Sequence, residues 1–322
     1  MTGRLILLDT ASLYFRAFYG IPDSLKAPDG TPVNAVRGLL DFVATLATQY
    51  EPEAIVACWD DDWRPQWRVD LLPSYKAHRV EEETSGVDVE ETPDALSPQV
   101  PLIAEALGLL GIPVVGAAEA EADDVIGTLV HRWDGPVEVV TGDRDLFQVV
   151  DDSRGVRVLY TARGVGKHDV VDAAWVRDKY GIEPHQYVDF AVMRGDASDG
   201  LPGVAGIGDK TAAVLLGEFG DLETIAAAAA DETSSIKPRP RRSLLESSDY
   251  IASAVRVVRV RDDLALAPPA ALPVFSEEQA AEFTTFAQTW GLGGSADRVV
   301  AALRAVVSPR HDRAEGQGPV VE

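Results

Sequence analysis

Cysteine is almost missing from this chain: Cys58 is the only one in 322 residues. A single thiol excludes an internal disulfide framework and fits a reducing compartment. Long apolar runs are missing too. None approaches the roughly 18 residues a membrane-spanning helix needs, and the early run LILLD ends at Asp9 before it could act as a secretion signal. A cytoplasmic protein without a membrane span is expected. The five histidines are scattered, without the spacing of a metal site. Cations are scarce, with 29 Lys and Arg against 52 Asp and Glu and a net charge of −23. Such a balance usually disfavours polyanion ligands. Net charge is only a sum, however, and a ligand meets a local patch.

At 46% hydrophobic and 25% charged residues, the composition suits a chain with one large domain and a smaller one. Short apolar runs alternate with helical patterns through the first half. Strands are predicted at RLILLD, EAIVACWD, IPVVGA, VEVVTGD and VRVLYT, and helices at about 12–20, 33–50, 98–110, 121–133 and 143–150. That alternation implies an α/β fold with a mostly parallel sheet flanked by helices. A long connection at about 62–99 mixes aromatic and basic residues, then turns acidic. Connections of that length usually carry function or are disordered. From 172 onward the texture is helical, and the polar tail from about 308 is expected to be disordered.

The stretch EAEADDVIGTLVHRW opens a predicted helix with four carboxylates, Glu119, Glu121, Asp123 and Asp124. One or two acids there complement the helix dipole; four need a further reason. In a parallel sheet the C-terminal strand ends converge on one edge, where ligands bind. Asp9, Asp60 and Asp143 end three predicted strands, Asp145 follows two residues later, and Asp196 and Asp199 open the turn into the helical half. Joined by Glu121, Asp123 and Asp124, these acids would form one cluster. Crowded carboxylates cannot all stay ionised without cations. Oxygen-rich sites suit Mg²⁺ or Mn²⁺. WDDDW leaves open whether Asp60 or Asp61 takes part.

Two basic signals accompany the acids. LPGVAGIGDKTAAVLL reads as a glycine turn, with Gly203, Gly206 and Gly208, leading into a helix that carries Lys210. Uncovered amides and a positive helix start suit a DNA phosphate. In SYKAHR, Lys76 and Arg79 stand one helical turn apart, expected as a phosphate clamp on a shared face. Tyr75 beside them is expected to stack on a base.

These residues resemble the 5′ nucleases, which include flap endonucleases and the 5′-exonuclease domain of bacterial DNA polymerase I. EADDVIGTL, TGDRDLFQ, YKAHR and GDASDGLPGVAGIGDKTA are similar to that family's acidic, strand-end, arch and helix–three-turn–helix motifs, in the same order from Leu5 to about residue 265. The resemblance implies a PIN-like nuclease core at 1–179 with a helical arch insertion at about 62–99. It further implies an all-α helix–three-turn–helix duplex-binding domain at 180–265 and a C-terminal extension at 266–322. The acidic stretch 80–97 is expected to be a disordered arch segment or a restraint on substrate entry. No polymerase domain follows, so a stand-alone, monomeric 5′ nuclease is expected.

The implied metal ligands are Asp9, Asp60, Glu121, Asp123, Asp124, Asp143, Asp145, Asp196 and Asp199, holding two or more ions about 3.5–4 Å apart for phosphodiester hydrolysis. Lys76 and Arg79 would act on the scissile phosphate, and Arg16 and Tyr75 would contact DNA with Gly206, Gly208 and Lys210. Carbonyls of Pro202, Val204 and Ile207 would hold K⁺. The implied substrates are 5′ flaps, nicked or branched duplex and 5′ ends, with RNA primer strands as a further partner. The alternatives are a non-catalytic branched-DNA-binding protein and a PIN-like ribonuclease.

Overall fold

The computed structural model describes residues 3–84, 87–90 and 92–315. Strand β1 (Leu5–Asp9) runs into helix α1 (Thr10–Gly20), then α2 (Asn34–Tyr50) and β2 (Ala54–Cys58). An insertion follows, made of α3 (Gln66–Leu71), a 3₁₀ turn (Ala77–Arg79), β3 (Val80–Thr84) and β4 (Val87–Glu90). The sheet resumes through α4 (Gln99–Leu109), β5 (Val114–Val115), α5 (Ala122–Arg132), β6 (Val137–Thr141), β7 (Val156–Tyr160) and β8 (Asp169–Val171). The helical half comprises α6 (Ala173–Tyr180), α7 (Tyr187–Arg194), α8 (Asp209–Phe219), α9 (Leu222–Ala230), α10 (Pro238–Glu246) and α11 (Ser248–Val258). Helices α12 (Glu277–Thr289) and α13 (Gly294–Glu315) end it.

The main sheet has the order β5-β2-β1-β6-β7-β8. Every pair is parallel except β7 with β8. Alternate residues feed two different cores. Leu5, Leu7, Val56, Val139 and Val158 join α5, α7, α8 and α11 on one face, while Ile6, Leu8, Ile55, Val140 and Leu159 join α1, α2, α4, α12 and α13 on the other. Burial on both faces is why these strands read as continuous apolar runs. Packing is continuous across residue 180: Phe190, Leu216, Ile225 and Ile251 lie in the same cluster as Leu5. The C-terminal segment folds back, with Phe283, Leu292, Val299 and Leu303 in the cluster of Ile6 and α13 laid along α2.

Several elements differ from the sequence-based expectation. The helix at 143–150 is a 3₁₀ turn over Asp145–Val149, while α3 and β8 were not anticipated. The insertion is not helical throughout, because β3 and β4 pair as an antiparallel hairpin. Its β-branched Val80, Thr84, Val87 and Val89 favour extended backbone. Helix α13 continues to Glu315, past the start expected for the disordered tail; residues 316–322 lie outside the described residues. Among the described residues no helix is long and apolar enough to cross a membrane.

Candidate active site

Strand β1 pairs with β2 on one side and β6 on the other, so the chain reverses its lateral direction beside β1. The C-terminal strand ends open there into a crevice. A cleft of about 460 Å³ occupies it, lined by Asp9, Ser12, Asp60, Lys76, Arg79, Glu121, Asp123, Asp143, Arg144 and Ser198 among others. Asp9 closes β1 and starts α1: it accepts the Ser12 N–H at 3.3 Å and the Thr141 hydroxyl at 2.6 Å. Asp60 accepts the Ala122 N–H at 2.8 Å, at the start of α5. Asp60 lines the cleft, whereas Asp61 is exposed and does not.

The four acids of EAEADD divide their tasks. Glu119 is exposed, with a positive φ of 54°, and its carbonyl accepts the Trp67 indole N–H at 3.1 Å. Asp123 lines the cleft. Glu121 lines it too, but accepts from Arg68 at 3.1 Å, from Tyr75 at 2.9 Å and from Lys76. Asp124 is fully buried and takes both arms of the Arg68 guanidinium, at 2.8 and 2.7 Å, plus the backbone N–H of Glu121 and of Arg261. Asp124 therefore does not face the cleft as a free ligand. Neighbouring residues on a helix point about 100° apart, so Asp123 and its successor serve different sides. Tyr75 likewise departs from expectation. It is 5% exposed with its hydroxyl spent on Glu121, which leaves its ring unavailable to a base here.

Lys76 has a left-handed backbone (φ 48°) and precedes the 3₁₀ turn that carries Arg79. The pair thus shares a tight turn rather than an α-helical face, yet both side chains line the cleft. Arg79 donates to Asp199 at 3.0 Å and to the Ser198 carbonyl at 2.8 Å. The Lys76 N–H donates to the Asp199 carbonyl at 3.1 Å, so the insertion is stitched to the loop after α7. That closeness explains Gly200: φ is +73° and an added Cβ would fall 2.0 Å from the Ser74 carbonyl, a position only glycine fills.

Asp145, Asp196 and Asp199 are all buried, and they are not among the residues that line the cleft, although Arg144 and Ser198 beside them are. Asp196 accepts from Arg144 at 3.1 Å and Arg194 at 2.9 Å, whereas the buried Oδ1 atom of Asp145 has no hydrogen-bond partner among the described residues. Burial raises the pKa of Asp9 to about 7, with Asp60 and Asp143 adding to it against the Thr141 hydrogen bond. Burial also raises Asp60, although Lys76 opposes it. Burial and then Asp143 push Asp123 and Asp145 well above the usual carboxylate range. Asp199 rises to about 6, mainly by burial and against the pull of Lys76.

These acids make an oxygen-only donor set under electrostatic strain, and one buried oxygen lacks a partner. Both features fit hard divalent cations. Among the described residues, no three acidic, His or Cys side chains already converge as a closed ligand set; the carboxylates line the cleft rather than forming a chelate.

Arg16 lies on α1, donates to the Ala162 carbonyl at 3.2 Å and lines an adjoining groove. The glycine turn stands elsewhere, before α8. Gly203 and Gly206 have φ of +72° and +77°, but Gly208 is extended (φ −105°) as the residue preceding α8, so the freedom expected of all three applies to two. Lys210 is exposed in the first turn of α8. The Val204 carbonyl accepts the Ile207 N–H at 2.9 Å. Sequence reasoning missed Arg68, Thr141, Arg144 and Arg194. Only Arg68 left a signal, as the one cation in WRVDLL.

Comparison with known proteins bears on this geometry. The family model described as 5′-3′ exonuclease, N-terminal resolvase-like domain, matches residues 4–181. The model for the 5′-3′ exonuclease, C-terminal SAM fold, matches residues 182–278. A 5′-3′ exonuclease of Streptomyces coelicolor is 58% identical over 301 residues, covering 93% of this chain and 100% of that protein. One from Mycobacterium tuberculosis is 53% identical over 271 residues, covering 82% of this chain and 85% of that protein. Among solved structures, the T5 D15 protein co-crystallised with metal ions superposes with a TM-score of 0.61 at 18% identity, over 93% of this chain and 99% of that one. At that identity the likeness speaks to the fold.

Proposed function

The chain belongs to the 5′-3′ exonuclease family and is a nuclease, and from that premise we propose that it cuts DNA phosphodiesters at 5′ flaps, nicked or branched duplex and 5′ ends in a cleft built for divalent cations. The observation that carries this is the convergence of Asp9, Asp60, Asp123 and Asp143, from three strand ends and one helix start, on the same cleft as Lys76 and Arg79. Those four acids, with Glu121, would hold Mg²⁺ or Mn²⁺. Asp145, Asp196 and Asp199 would serve a second ion, with Asp145 supplying the unpartnered oxygen. When bound, such ions activate water and offset charge on the leaving oxygen.

The protein's own cations act on the phosphate. Lys76, held against Glu121, and Arg79, held against Asp199, bring positive charge into the cleft among the acids. Arg16 extends that charge along the adjoining groove. The glycine turn with Gly206, Gly208 and Lys210 would anchor duplex away from the cleft, and K⁺ at the carbonyls of Pro202, Val204 and Ile207 would complete it. The protein acts as a monomer, and RNA primer strands are a further substrate class. The same reading divides the chain into a nuclease core to about 179, a duplex-binding unit to about 265 and an extension that folds back on the core.

A 5′-labelled flap oligonucleotide, incubated with Mg²⁺, Mn²⁺ or EDTA, tests the reading. Short 5′ products with either ion and none in EDTA are expected. Cleavage undiminished by the chelator would overturn it.

A further inference from the structure

Two guanidinium groups meet on one oxygen of Asp196: Arg194 donates to Oδ2 at 2.9 Å and Arg144 at 3.1 Å. The other oxygen, Oδ1, accepts the Ser198 N–H at 3.0 Å and the Ser198 hydroxyl. Asp199 is paired with Arg79 at 3.0 Å, and Asp145 feels the charges of Asp199, Asp196 and Arg194. The carboxylates of Asp145, Asp196 and Asp199 thus stand among the guanidinium groups of Arg79, Arg144 and Arg194, so their charges balance within the chain itself. Crowded carboxylates need cations to stay ionised. Here the side chains supply them.

The two arginines on Asp196 are not equivalent. Arg194 is fixed: its side chain is 12% exposed, its Nε donates to the Gly195 carbonyl at 3.0 Å, and its guanidinium carbon lies 5.2 Å from the Phe190 ring centre. Arg144 is tethered by less. Its side chain is 40% exposed, and among the described residues the bond to Asp196 is the only hydrogen bond that side chain makes. It also lines the cleft, which Asp196 does not. An ion pair with an exposed member contributes little to stability. Released from Arg144, Asp196 would keep Arg194 and Ser198, so the fold does not depend on the second arginine. The turn that carries Arg144 is held separately, by the Asp145 N–H donating to Asp143 at 2.9 Å.

We propose that Arg144 is a built-in counter-cation: it pairs with Asp196 in the ion-free protein and is displaced when a divalent ion takes up that carboxylate. The ion then competes with a tethered positive charge, so Arg144 sets how much divalent metal the second position requires. This rests on the nuclease reading above, with Asp145, Asp196 and Asp199 serving a second ion, and its test needs no cleavage. Mn²⁺ is titrated calorimetrically into the DNA-free protein, for the wild type and for Arg144→Gln and Arg144→Ala. A unit charge about 8 Å from a divalent ion in a water-like medium alters its binding by about fivefold, so the weaker Mn²⁺ site should tighten by at least about that factor in both variants. Arg144→Lys keeps the charge and should stay near wild type. In an Asp196→Asn background, Arg144→Gln should change nothing, because the contested carboxylate charge is gone. Urea midpoints in EDTA near wild type show that the variants fold. Unchanged or weakened Mn²⁺ binding in Arg144→Gln and Arg144→Ala overturns the inference alone, as does a tightening that persists undiminished beside Asp196→Asn. A wild type that takes up no Mn²⁺ would overturn the ion-binding cleft itself, and this inference with it.

Discussion

Replacing Arg68 with alanine isolates the most heavily bonded side chain near the cleft. Its guanidinium donates to Asp124 at 2.7 and 2.8 Å, to Glu121 at 3.1 Å and to the Val257 carbonyl at 3.0 Å. It is 2% exposed and stacks over Trp67, with its carbon 4.6 Å from the ring centre. Glu121 keeps Tyr75 and Lys76 after the substitution, whereas Asp124 keeps only the two backbone N–H groups of Glu121 and Arg261. Leaving a buried charge without its partner costs about 3–5 kcal/mol, a large share of a total stability of roughly 5–15 kcal/mol. At a denaturant slope of about 3 kcal/mol per M, the urea midpoint should fall by about 1–2 M.

Unfolding in EDTA, followed by circular dichroism, measures this without metal. Arg68→Lys should fall between, because one ammonium cannot reproduce the fork. Arg68→Leu/Asp124→Leu should recover much of the loss, since removing both members of a buried pair is often nearly neutral. An alanine variant within about 1 kcal/mol of wild type, or a double variant that loses the sum of its singles, would refute the idea that an orphaned carboxylate is the cost.

Other predictions concern chemistry. Asp123→Asn and Asp143→Asn should stop cleavage while leaving duplex affinity and the urea midpoint near wild type. Asp124→Asn should do the reverse, losing stability first; single-turnover assays beside urea curves separate the cases, and a normal rate in either of the first pair removes it from the ligand set. Lys76→Ala should slow single-turnover cleavage by roughly 10²–10³-fold, as for one preorganised donor, with little change in Kd; a normal rate at saturating protein would take Lys76 out of the site. Asp9 and Asp199 hold protons in the metal-free fold up to about 7 and about 6, whereas unfolded carboxyls release them near 4. Their contribution to stability therefore falls as pH rises from about 4 to 7. The decline in urea midpoint with pH in EDTA should flatten in Asp9→Asn, and an identical pH profile would count against the raised value.

Chemistry at the strand ends was legible because a parallel sheet sends all its C-terminal ends to one edge. Once LILLD, AIVACWD and EVVTGD are strands, Asp9, Asp60 and Asp143 must meet near it, whatever the helices do. Which acids face the cleft could not be read this way. Asp123 and Asp124 are adjacent letters that a helical turn aims at different surroundings, and one becomes the anchor of Arg68, 56 residues away. Tyr75 shows the same limit: its neighbours Lys76 and Arg79 reach the cleft, but the left-handed backbone at Lys76 redirects the chain and leaves the ring beneath them. The return of α13 onto α2 and the joining of α7 to the sheet core depend on contacts across hundreds of residues. Local periodicity carries no information about those, because an apolar stripe states that a face is buried and not what buries it.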